Sequence, residues 1–462
     1  MQLIFVHGWS VTNTNTYGGL PQALAATEVA RELDLVIQHI YLGRYISFHD
    51  EVTVDDIARA MDNALRDLPG NSSDHIAPFS CITHSTGGPV VRFWADRFYG
   101  KGGLNGLPLK HLVMLAPANH GSALAILGKG RIGRIKAWFN GIEPGQRVLD
   151  WLCLGSDGQW RLNKSYLRYN YVAHGFYPFV LTGQGIDHQA YDFLNSYLVE
   201  PGSDGVVRVA GANMNYCYLS LRQDPHQEIR EEDGKPVYAL SAYRARTPKT
   251  VPLGVFNSYS HSGNTMGIMG SIGTDDVDAP VVQGIIKCLK VQDTEGYKQC
   301  GKDLAAETAV QQEIGDRFCM LVFNVRDDQD ERIGKNDYDL FLLAGREYQP
   351  HQLPQGFFRD RQMNPQTGRL IYYLDANKMA AIKDGLFGLR VVARPSAGFA
   401  YYCMAEYHSN GIAASKVLKP NQTTYVDITL HRFVDEYVFR FDQANEGPKD
   451  FKDTNPSGNP LK

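Results

Sequence analysis

The sequence has few of the residues that mark disulfide-rich, metal-binding or membrane-spanning proteins. Only seven of its 462 residues are cysteines, and they are scattered and form no Cys-x-x-Cys pair. This pattern favours reduced thiols over a disulfide framework or a zinc site. The longest apolar runs, such as residues 112–116, fall far short of the roughly 18 residues that a membrane-spanning helix needs. The sequence therefore predicts a protein without a transmembrane segment.

An excess of positive charge and an N-terminal signal are also missing. Lys and Arg number 46 against 50 Asp and Glu, for a net charge of −4. A general nucleic-acid binder needs a basic surface, so nucleic acid is not expected as a partner. Met1 is followed almost at once by the apolar segment 3–7, with no basic region before it. We therefore expect a cytoplasmic protein, or one that is exported without a classical signal peptide.

Residues 1–300 alternate between strand-like and helix-like segments. The strand candidates are mostly continuous apolar runs, which are typical of strands that are covered on both faces. Alternating strands and helices predict an α/β fold with a mostly parallel sheet. The strand candidates are residues 3–7, 35–41, 79–84, 112–116, 176–182 and 206–210, and the helical patterns are residues 54–68, 89–98 and 280–289.

The pattern changes after residue 305 to short strands separated by Gly, Pro, Asn and Asp turns. Seven such strands predict an all-β, sandwich-like domain over residues 310–445. We place a linker in the polar stretch 292–313 and a flexible tail at 446–462. The strand candidates are residues 322–325, 340–343, 370–373, 389–392, 401–404, 425–429 and 437–441.

The segment 79–91 carries the strongest chemical signal. An apolar strand runs into Thr83-His84-Ser85-Thr86-Gly87 and then into a helical pattern that Pro89 opens. A serine on such a turn projects its hydroxyl above the sheet, and the helix N-terminus favours developing negative charge. Ser85 is therefore the candidate nucleophile and the amide of Thr86 a candidate oxyanion donor. The pattern departs from Gly-x-Ser-x-Gly because Thr83 replaces the first glycine, and an ordinary strand-to-helix turn is the alternative.

Candidates for an acid and a base follow the serine in the chain. Asp204 lies in a Ser-Asp-Gly turn beside an apolar run, although Asp and Gly suit turns for conformational reasons alone. His261 lies in a polar, glycine-containing loop before the helical pattern 280–289. The order Ser85, Asp204, His261 fits a serine hydrolase. His188 precedes the acid and His226 lies in a charged stretch, so both are weaker base candidates.

Two further short segments fit the same chemistry. The turn His7-Gly8-Trp9 follows the first strand, which predicts the amide of Trp9 as a second oxyanion donor. A plain turn at a strand end is the alternative. The segment 111–122 ends in Ala-Pro-Ala-Asn-His-Gly-Ser, and we expect its His120 to be structural rather than catalytic.

Together these segments resemble a lipase or esterase of the α/β-hydrolase superfamily. The similarity is strongest to the branch that includes the bacterial triacylglycerol lipases, and it covers the N-terminal two-thirds of the chain. The resemblance implies an α/β-hydrolase fold and a Ser-His-Asp hydrolase that acts on carboxylic esters through an acyl-enzyme. It also implies a lid, and it does not extend to the C-terminal domain.

The candidate lid is an insertion over residues 122–170. Its segment 131–139 is basic and amphipathic, and four apolar residues share one arc of a helical wheel. Such a helix could lie on an anionic lipid surface and contact substrate, which favours a phospholipase A-type activity. A core helix bordered by solvated basic residues is the alternative. The apolar residues are Ile132, Ile135, Trp138 and Phe139.

Several functional alternatives remain open from the sequence. The same triad would serve a soluble esterase or an acyltransferase, and a hydrolase fold can also act as a non-catalytic binding protein. An exported antibacterial phospholipase is compatible with the missing signal peptide. We expect no metal and no cofactor. The partners that the sequence allows are a lipid or ester substrate, a membrane surface contacted transiently, and a protein bound through the C-terminal domain.

Overall fold

The computed structural model describes residues 1–434 apart from 8–14, 47–48, 128–144, 187–199, 314, 316, 335, 383–385, 396–398 and 411. Its first sheet has six strands in the order β2-β1-β3-β4-β5-β8, and every pairing is parallel. This sheet confirms the predicted α/β-hydrolase fold class. The strands are β1 Gln2–His7, β2 Val36–Tyr41, β3 Phe79–His84, β4 Leu109–Leu115, β5 Tyr177–Gly183 and β8 Leu253–Phe256.

Helices cover both faces of this sheet, which explains why its strands are almost continuously apolar. In β1, Ile4 and Val6 join one hydrophobic cluster while Leu3 and Phe5 join another on the opposite face. The helices are α1 Leu20–Ala26, α2 Glu28–Glu32, α3 Val54–Arg66, α4 Gly87–Tyr99, α5 Ala123–Leu127, α6 Gln146–Leu152, α7 Asp157–Tyr166, α8 Val209–Ala212, α9 Pro280–Leu289, α10 Thr294–Gln311 and α11 Ala414–Val417.

Two predictions for this part of the chain were wrong. Residues 206–210 are not a strand, because they form a buried turn that leads into the short helix α8. The stretch 292–313 is not an extended linker, because α10 occupies most of it. The Thr308 hydroxyl accepts a hydrogen bond from the Val255 amide at 3.0 Å and so ties α10 to β8. This helix therefore packs against the edge of the first sheet.

The second sheet has nine strands in the order β10-β13-β15-β7-β6-β16-β9-β12-β11. Its pairings are antiparallel except for β7/β15, β6/β16 and β9/β16, which are parallel. A separate two-stranded sheet pairs β14 with β17. The strands are β6 Cys217–Glu232, β7 Lys235–Arg246, β9 Phe318–Asp327, β10 Tyr338–Ala344, β11 Phe358–Met363, β12 Leu370–Asp375, β13 Phe387–Ala393, β14 Ala400–Tyr401, β15 Met404–His408, β16 Thr423–Leu430 and β17 Phe433–Val434.

The second sheet folds over a core that its distant strands share. The Tyr372 hydroxyl on β12 donates a hydrogen bond to the Leu340 carbonyl on β10 at 2.6 Å, although these strands are far apart in the sheet order. Both residues belong to one hydrophobic cluster. The arrangement agrees with the predicted sandwich-like β domain. The predicted strand 437–441 and tail 446–462 lie outside the described residues.

Two strands of the second sheet come from the middle of the part of the chain that forms the first sheet. The hairpin β6–β7 spans Cys217 to Arg246 and occupies the centre of the nine-stranded order. The sequence-based division placed these residues within 1–300. The chain thus leaves the first sheet after α8, contributes a hairpin to the second, and returns to form β8.

Buried polar contacts join the two sheets. The Tyr425 hydroxyl on β16 donates to His120 Nδ1 at 2.7 Å and accepts from Asn163 Nδ2 at 2.8 Å. The Thr423 hydroxyl donates to the Ala210 carbonyl at 2.8 Å. Trp160 on α7 meets the Tyr425 ring edge to face with centroids 5.0 Å apart. Because buried polar groups need specific partners, these contacts fix how the β domain sits against the hydrolase fold.

Candidate active site

The turn between β3 and α4 holds Ser85 in a strained conformation. Its φ is +52°, in the left-handed region that non-glycine residues rarely adopt. The turn is possible because the helix begins with two glycines, Gly87 and Gly88, which lie too close to neighbouring residues to carry a side chain without displacing them. A Cβ on Gly87 would lie 3.1 Å from the Thr83 Cβ, and one on Gly88 would lie 2.8 Å from the Pro117 Cβ. Gly87 therefore makes room for the threonine that replaces the usual first glycine of the motif.

The structure brings Ser85, His261 and Asp204 into one hydrogen-bonded chain. The Ser85 Oγ lies 2.9 Å from His261 Nε2, and His261 Nδ1 lies 2.9 Å from an Asp204 carboxylate oxygen. Asp204 and His261 are fully buried, and Ser85 is 8% exposed. An ionised carboxylate only accepts hydrogen bonds, so Nδ1 carries the imidazole proton and Nε2 presents its lone pair to the serine hydroxyl. This protonation pattern is the one that a general base requires.

The Asp204 carboxylate is aimed at His261 by its own turn. Its Oδ1 accepts hydrogen bonds from the amides of Val206 at 3.0 Å and Val207 at 2.7 Å. These bonds leave Oδ2 to accept from the imidazole. The His261 amide also donates to the Asp204 carbonyl at 2.9 Å, so backbone and side chain both hold the two residues together. Two amide donors and burial thus fix the carboxylate in one orientation.

His84, the residue before the serine, packs against the candidate base. Its Nε2 donates a hydrogen bond to the His261 carbonyl at 2.9 Å, and the two rings lie 4.7 Å apart. Burial and the neighbouring His261 hold the pKa of His84 well below its usual value, so His84 is a neutral donor at physiological pH. The sequence pattern alone assigned this residue no role. Its position inside the serine motif was the available signal.

Of the two candidate oxyanion donors, only Thr86 lies within the described residues. Thr86 is the N-cap residue of α4, so its amide is at the positive end of that helix beside Ser85. Its hydroxyl is buried without a hydrogen-bond partner among the described residues. Trp9 lies outside the described residues. His7, two residues before it, is buried, and its Nε2 lies 2.9 Å from His39 Nδ1.

A second serine–histidine pair lies elsewhere in the fold. The Ser80 Oγ is 2.7 Å from His111 Nδ1, but His111 Nε2 donates to the Val291 carbonyl at 2.6 Å instead of to a carboxylate. Both side chains are buried, Ser80 on β3 and His111 on β4. Without a carboxylate to stabilise an imidazolium, this pair lacks one of the three groups that the chemistry needs.

The structure shows where two other histidines from the sequence segments lie, His226 and His120. His226 is exposed on β6, in the second sheet. His120 is fully hydrogen-bonded, to the Tyr425 hydroxyl and the Asn213 carbonyl. His188 lies outside the described residues. So do the four apolar lid residues, which are Ile132, Ile135, Trp138 and Phe139.

The described residues offer neither a metal site nor a membrane span. They include no cluster of three or more His, Cys, Asp or Glu side chains that could hold a metal ion. None of the helices in the described part of the chain is long and apolar enough to cross a bilayer.

Comparisons with known proteins identify similar solved structures. No protein-family model matches the chain, and no curated protein sequence matches it. Phospholipase PlaB from Legionella pneumophila, solved in complex with thio-NAD, is 42% identical with a TM-score of 0.85, and the match covers 97% of this chain and 98% of that one. A second structure of phospholipase PlaB is 43% identical with a TM-score of 0.85 over 97% of each chain. A mature lipase from Bacillus licheniformis is 17% identical with a TM-score of 0.33, over 46% of this chain and 78% of its own.

Proposed function

The chain belongs to the family of phospholipase PlaB, and from that premise we propose that it releases fatty acids from phospholipids by serine catalysis at Ser85. Lipid ester hydrolysis is the activity of the family, and the α/β-hydrolase fold supplies the scaffold. The proposal adds the residues that carry the reaction. Ser85 is the nucleophile, His261 the general base and acid, and Asp204 the carboxylate that orients His261.

The first half of the reaction is acylation of Ser85. Its Oγ attacks the ester carbonyl carbon while His261 Nε2 takes the hydroxyl proton, and a tetrahedral oxyanion forms. The C–O bond to the glycerol oxygen then breaks, and the imidazolium returns its proton to that oxygen. The lysophospholipid leaves, and the acyl group stays on Ser85 as an ester.

The second half is hydrolysis of the acyl-enzyme. Water enters, His261 Nε2 accepts one of its protons, and the resulting hydroxide attacks the acyl carbon. The Ser85 Oγ leaves and takes back the proton from His261, which releases the fatty acid. During both halves the imidazolium lies beside the buried Asp204 carboxylate, whose charge stabilises it.

Negative charge on the carbonyl oxygen develops next to Ser85 in each half-reaction. The amide of Thr86 and the N-terminus of α4 adjoin Ser85, which supports their assignment as donors to this oxygen. Removing one such donor from a serine hydrolase typically costs about 100-fold or more in turnover. Trp9 is the proposed second donor, and the lid residues Ile132, Ile135, Trp138 and Phe139 are proposed to contact substrate at a membrane surface.

One observation carries the assignment. Among the described residues, Ser85–His261–Asp204 combines a serine in a strained turn, an imidazole on its hydroxyl and a carboxylate on the imidazole. The Ser80–His111 pair has a shorter serine–histidine distance but ends on a backbone carbonyl. Contact between a serine and a histidine is thus insufficient to identify the nucleophile. The complete set of serine, imidazole and carboxylate favours Ser85 over Ser80.

The first test measures fatty-acid release from phosphatidylglycerol vesicles by the full chain. We expect release by the wild type and a loss of about 1,000-fold or more in Ser85→Ala, because the acyl-enzyme can no longer form. Ser80→Ala is the matched control, since it also removes a buried serine hydroxyl from a histidine. We expect it to retain wild-type release per folded molecule.

Two outcomes would contradict this proposal. Release that survives in Ser85→Ala would exclude Ser85 as the nucleophile. Absence of release from phosphatidylglycerol by the folded wild type, together with hydrolysis of soluble short-chain esters, would restrict the enzyme to esterase chemistry.

A further inference from the structure

We infer that the β domain positions a catalytic group of the active site. Its residues Tyr373 and Asp360 act through Arg208 to hold the loop that carries Asp204. This inference rests on the proposed catalytic role of Asp204. It assigns to two residues of the second sheet a positioning function in a reaction whose proposed triad lies on the hydrolase fold.

Arg208 anchors the loop from both ends. Residues 200–208 form a closed loop around Asp204, and Arg208 at its end binds Glu200 at its start through two hydrogen bonds of 2.8 Å. The guanidinium is only 2% exposed. Ser203 and Arg208 also form a bridge between their backbones, and the Val209 amide donates to the Gly202 carbonyl at 2.9 Å. The loop is therefore a small closed unit with Asp204 within it.

The β domain contacts this unit directly through β11 and β12. Asp360 on β11 accepts a hydrogen bond from the same Arg208 nitrogen that binds Glu200. Tyr373 on β12 lies under the guanidinium, with its ring centroid 4.1 Å from the Arg208 Cζ. A buried guanidinium needs charge compensation, and two carboxylates and an aromatic face supply it here. One of these carboxylates and the ring come from the second sheet.

Tyr373 also holds the loop backbone. Its hydroxyl lies 3.1 Å from both the Pro201 and the Gly202 carbonyl oxygens and can donate its proton to either. Gly202 has a φ of +74°, and a Cβ there would lie 2.6 Å from the Tyr373 hydroxyl and 2.3 Å from the ring of Phe318 on β9. The loop thus lies against the sheet at a distance that leaves no room for a side chain.

The path from these contacts to the chemistry is short. Gly202 is two residues before Asp204, and Arg208 follows Val207, whose amide holds the Asp204 carboxylate. If the loop shifts, the carboxylate oxygen that faces His261 moves with it. A displacement of about 1 Å in a catalytic group can lower turnover on the order of 100-fold. Because the proposed role acts on the Asp204 carboxylate and not on substrate contacts, it predicts a KM near the wild-type value.

The test compares two neighbouring tyrosines on β12. Tyr373→Phe removes the hydroxyl that holds the loop but keeps the ring beneath Arg208. Tyr372→Phe removes a hydroxyl that points into the β-domain core, where it donates to Leu340. Both tyrosines are at most 2% exposed, so the losses in stability should be alike. The assay is hydrolysis of 4-nitrophenyl butyrate by the full chain, with kcat and KM determined separately.

We expect Tyr373→Phe to lower kcat about tenfold with KM unchanged, and Tyr372→Phe to leave both constants within about twofold of wild type. A second pair tests the charge. Asp360→Asn should lower kcat in the same way, whereas Asp360→Glu, which keeps a carboxylate for Arg208, should recover most of the loss. Unfolding midpoints for all four variants separate positioning from stability.

Each outcome decides a different question. Equal kcat values for Tyr373→Phe and Tyr372→Phe, with Ser85→Ala inactive in the same assay, would overturn the positioning role and leave the proposed function intact. Hydrolysis that persists in Ser85→Ala would overturn the proposed function and this inference with it. If kcat falls as far in Asp360→Glu as in Tyr373→Phe, a carboxylate at position 360 is not what holds Arg208. That result would overturn the proposed role of the Asp360 charge.

Discussion

At the scale of single residues, His120 and His7 are buried histidines that stay neutral. Burial, aided by nearby positive charge, lowers the pKa of His120 to about 3, and it lowers the pKa of His7 to the same value. His120 has a fixed tautomer, because Nε2 donates to the Asn213 carbonyl while Nδ1 accepts from Tyr425. Arg92 is the positive charge that opposes protonation of His120. A neutral His120 is therefore required for the contact between the two sheets.

This requirement predicts a loss of stability in acid. An unfolded histidine takes up a proton near pH 6.5, whereas His120 in the folded state does so only near pH 3. The unfolded state then binds more protons, so the free energy of unfolding falls as pH drops from about 6.5 towards 3. The contribution is at most about 1.4 kcal/mol per pH unit for each such histidine.

The check is urea unfolding of the wild type and His120→Gln between pH 7 and pH 5. Glutamine keeps a donor for the Asn213 carbonyl and does not titrate, so its unfolding free energy should depend less steeply on pH. Parallel pH dependences for the two proteins would show that His120 does not stay neutral in the fold.

The predictable part of the site is the part that local sequence encodes. Ser85, Asp204 and His261 stand in turns whose residue types fit their proposed roles, and their order along the chain selects among the histidines. His84 was overlooked because its partner, the His261 carbonyl, is 177 residues away. Tyr373 gives no local signal for the same reason, since it meets Gly202 across 171 residues.

At the level of elements, the serine turn depends on two glycines that open α4. Gly88 has no space for a side chain, because its Cβ would meet the Pro117 Cβ at 2.8 Å. Gly301, inside α10, faces only ordinary contact, with the Pro252 Cγ at 3.6 Å. Both glycines lie in helices, so the same substitution should have opposite effects at the two positions.

We expect Gly88→Ala to lower the free energy of unfolding by about 1–3 kcal/mol, because overpacking forces α4 away from the strand end. Gly301→Ala should raise it by about 0.5–1 kcal/mol, because alanine favours the helix and loses less backbone entropy on folding. Thermal and urea unfolding of both variants measures these changes. A destabilised Gly301→Ala paired with an unchanged Gly88→Ala would contradict the close packing at the Ser85 turn.

The elements that the sequence predicted well are the long, fully covered ones. The strands β1, β3 and β4 are apolar on both faces, so composition alone revealed them. The helix α10 was missed although Tyr297, Cys300, Leu304 and Thr308 have helical spacing, because polar residues fill the rest of the segment. Residues 206–210 looked like a strand because they are apolar and buried. In the structure Val206 and Val207 pack into the core of the hydrolase fold, and Ala210 packs into a cluster shared with the β domain.

At the scale of the whole molecule, the two sheets are interleaved along the chain. The hairpin β6–β7 leaves the hydrolase fold between Asp204 and His261 and forms the centre of the second sheet. The amino-acid composition of the hairpin does not distinguish it from the segments around it, because its charged residues are typical of any exposed surface. We propose that the catalytic domain comprises residues 1–300 without this hairpin, and that the β domain comprises 310–445 together with it.

The most direct test of the central claim, serine catalysis by Ser85 with His261 and Asp204, is covalent labelling of the full chain. A fluorophosphonate reagent modifies serines that are activated by a neighbouring base, and peptide mass mapping locates the adduct. We expect one adduct, on Ser85, whose rate of formation falls at least about 100-fold in His261→Ala and in Asp204→Asn. An adduct on Ser80, or labelling of Ser85 at an unchanged rate in His261→Ala, would contradict this claim.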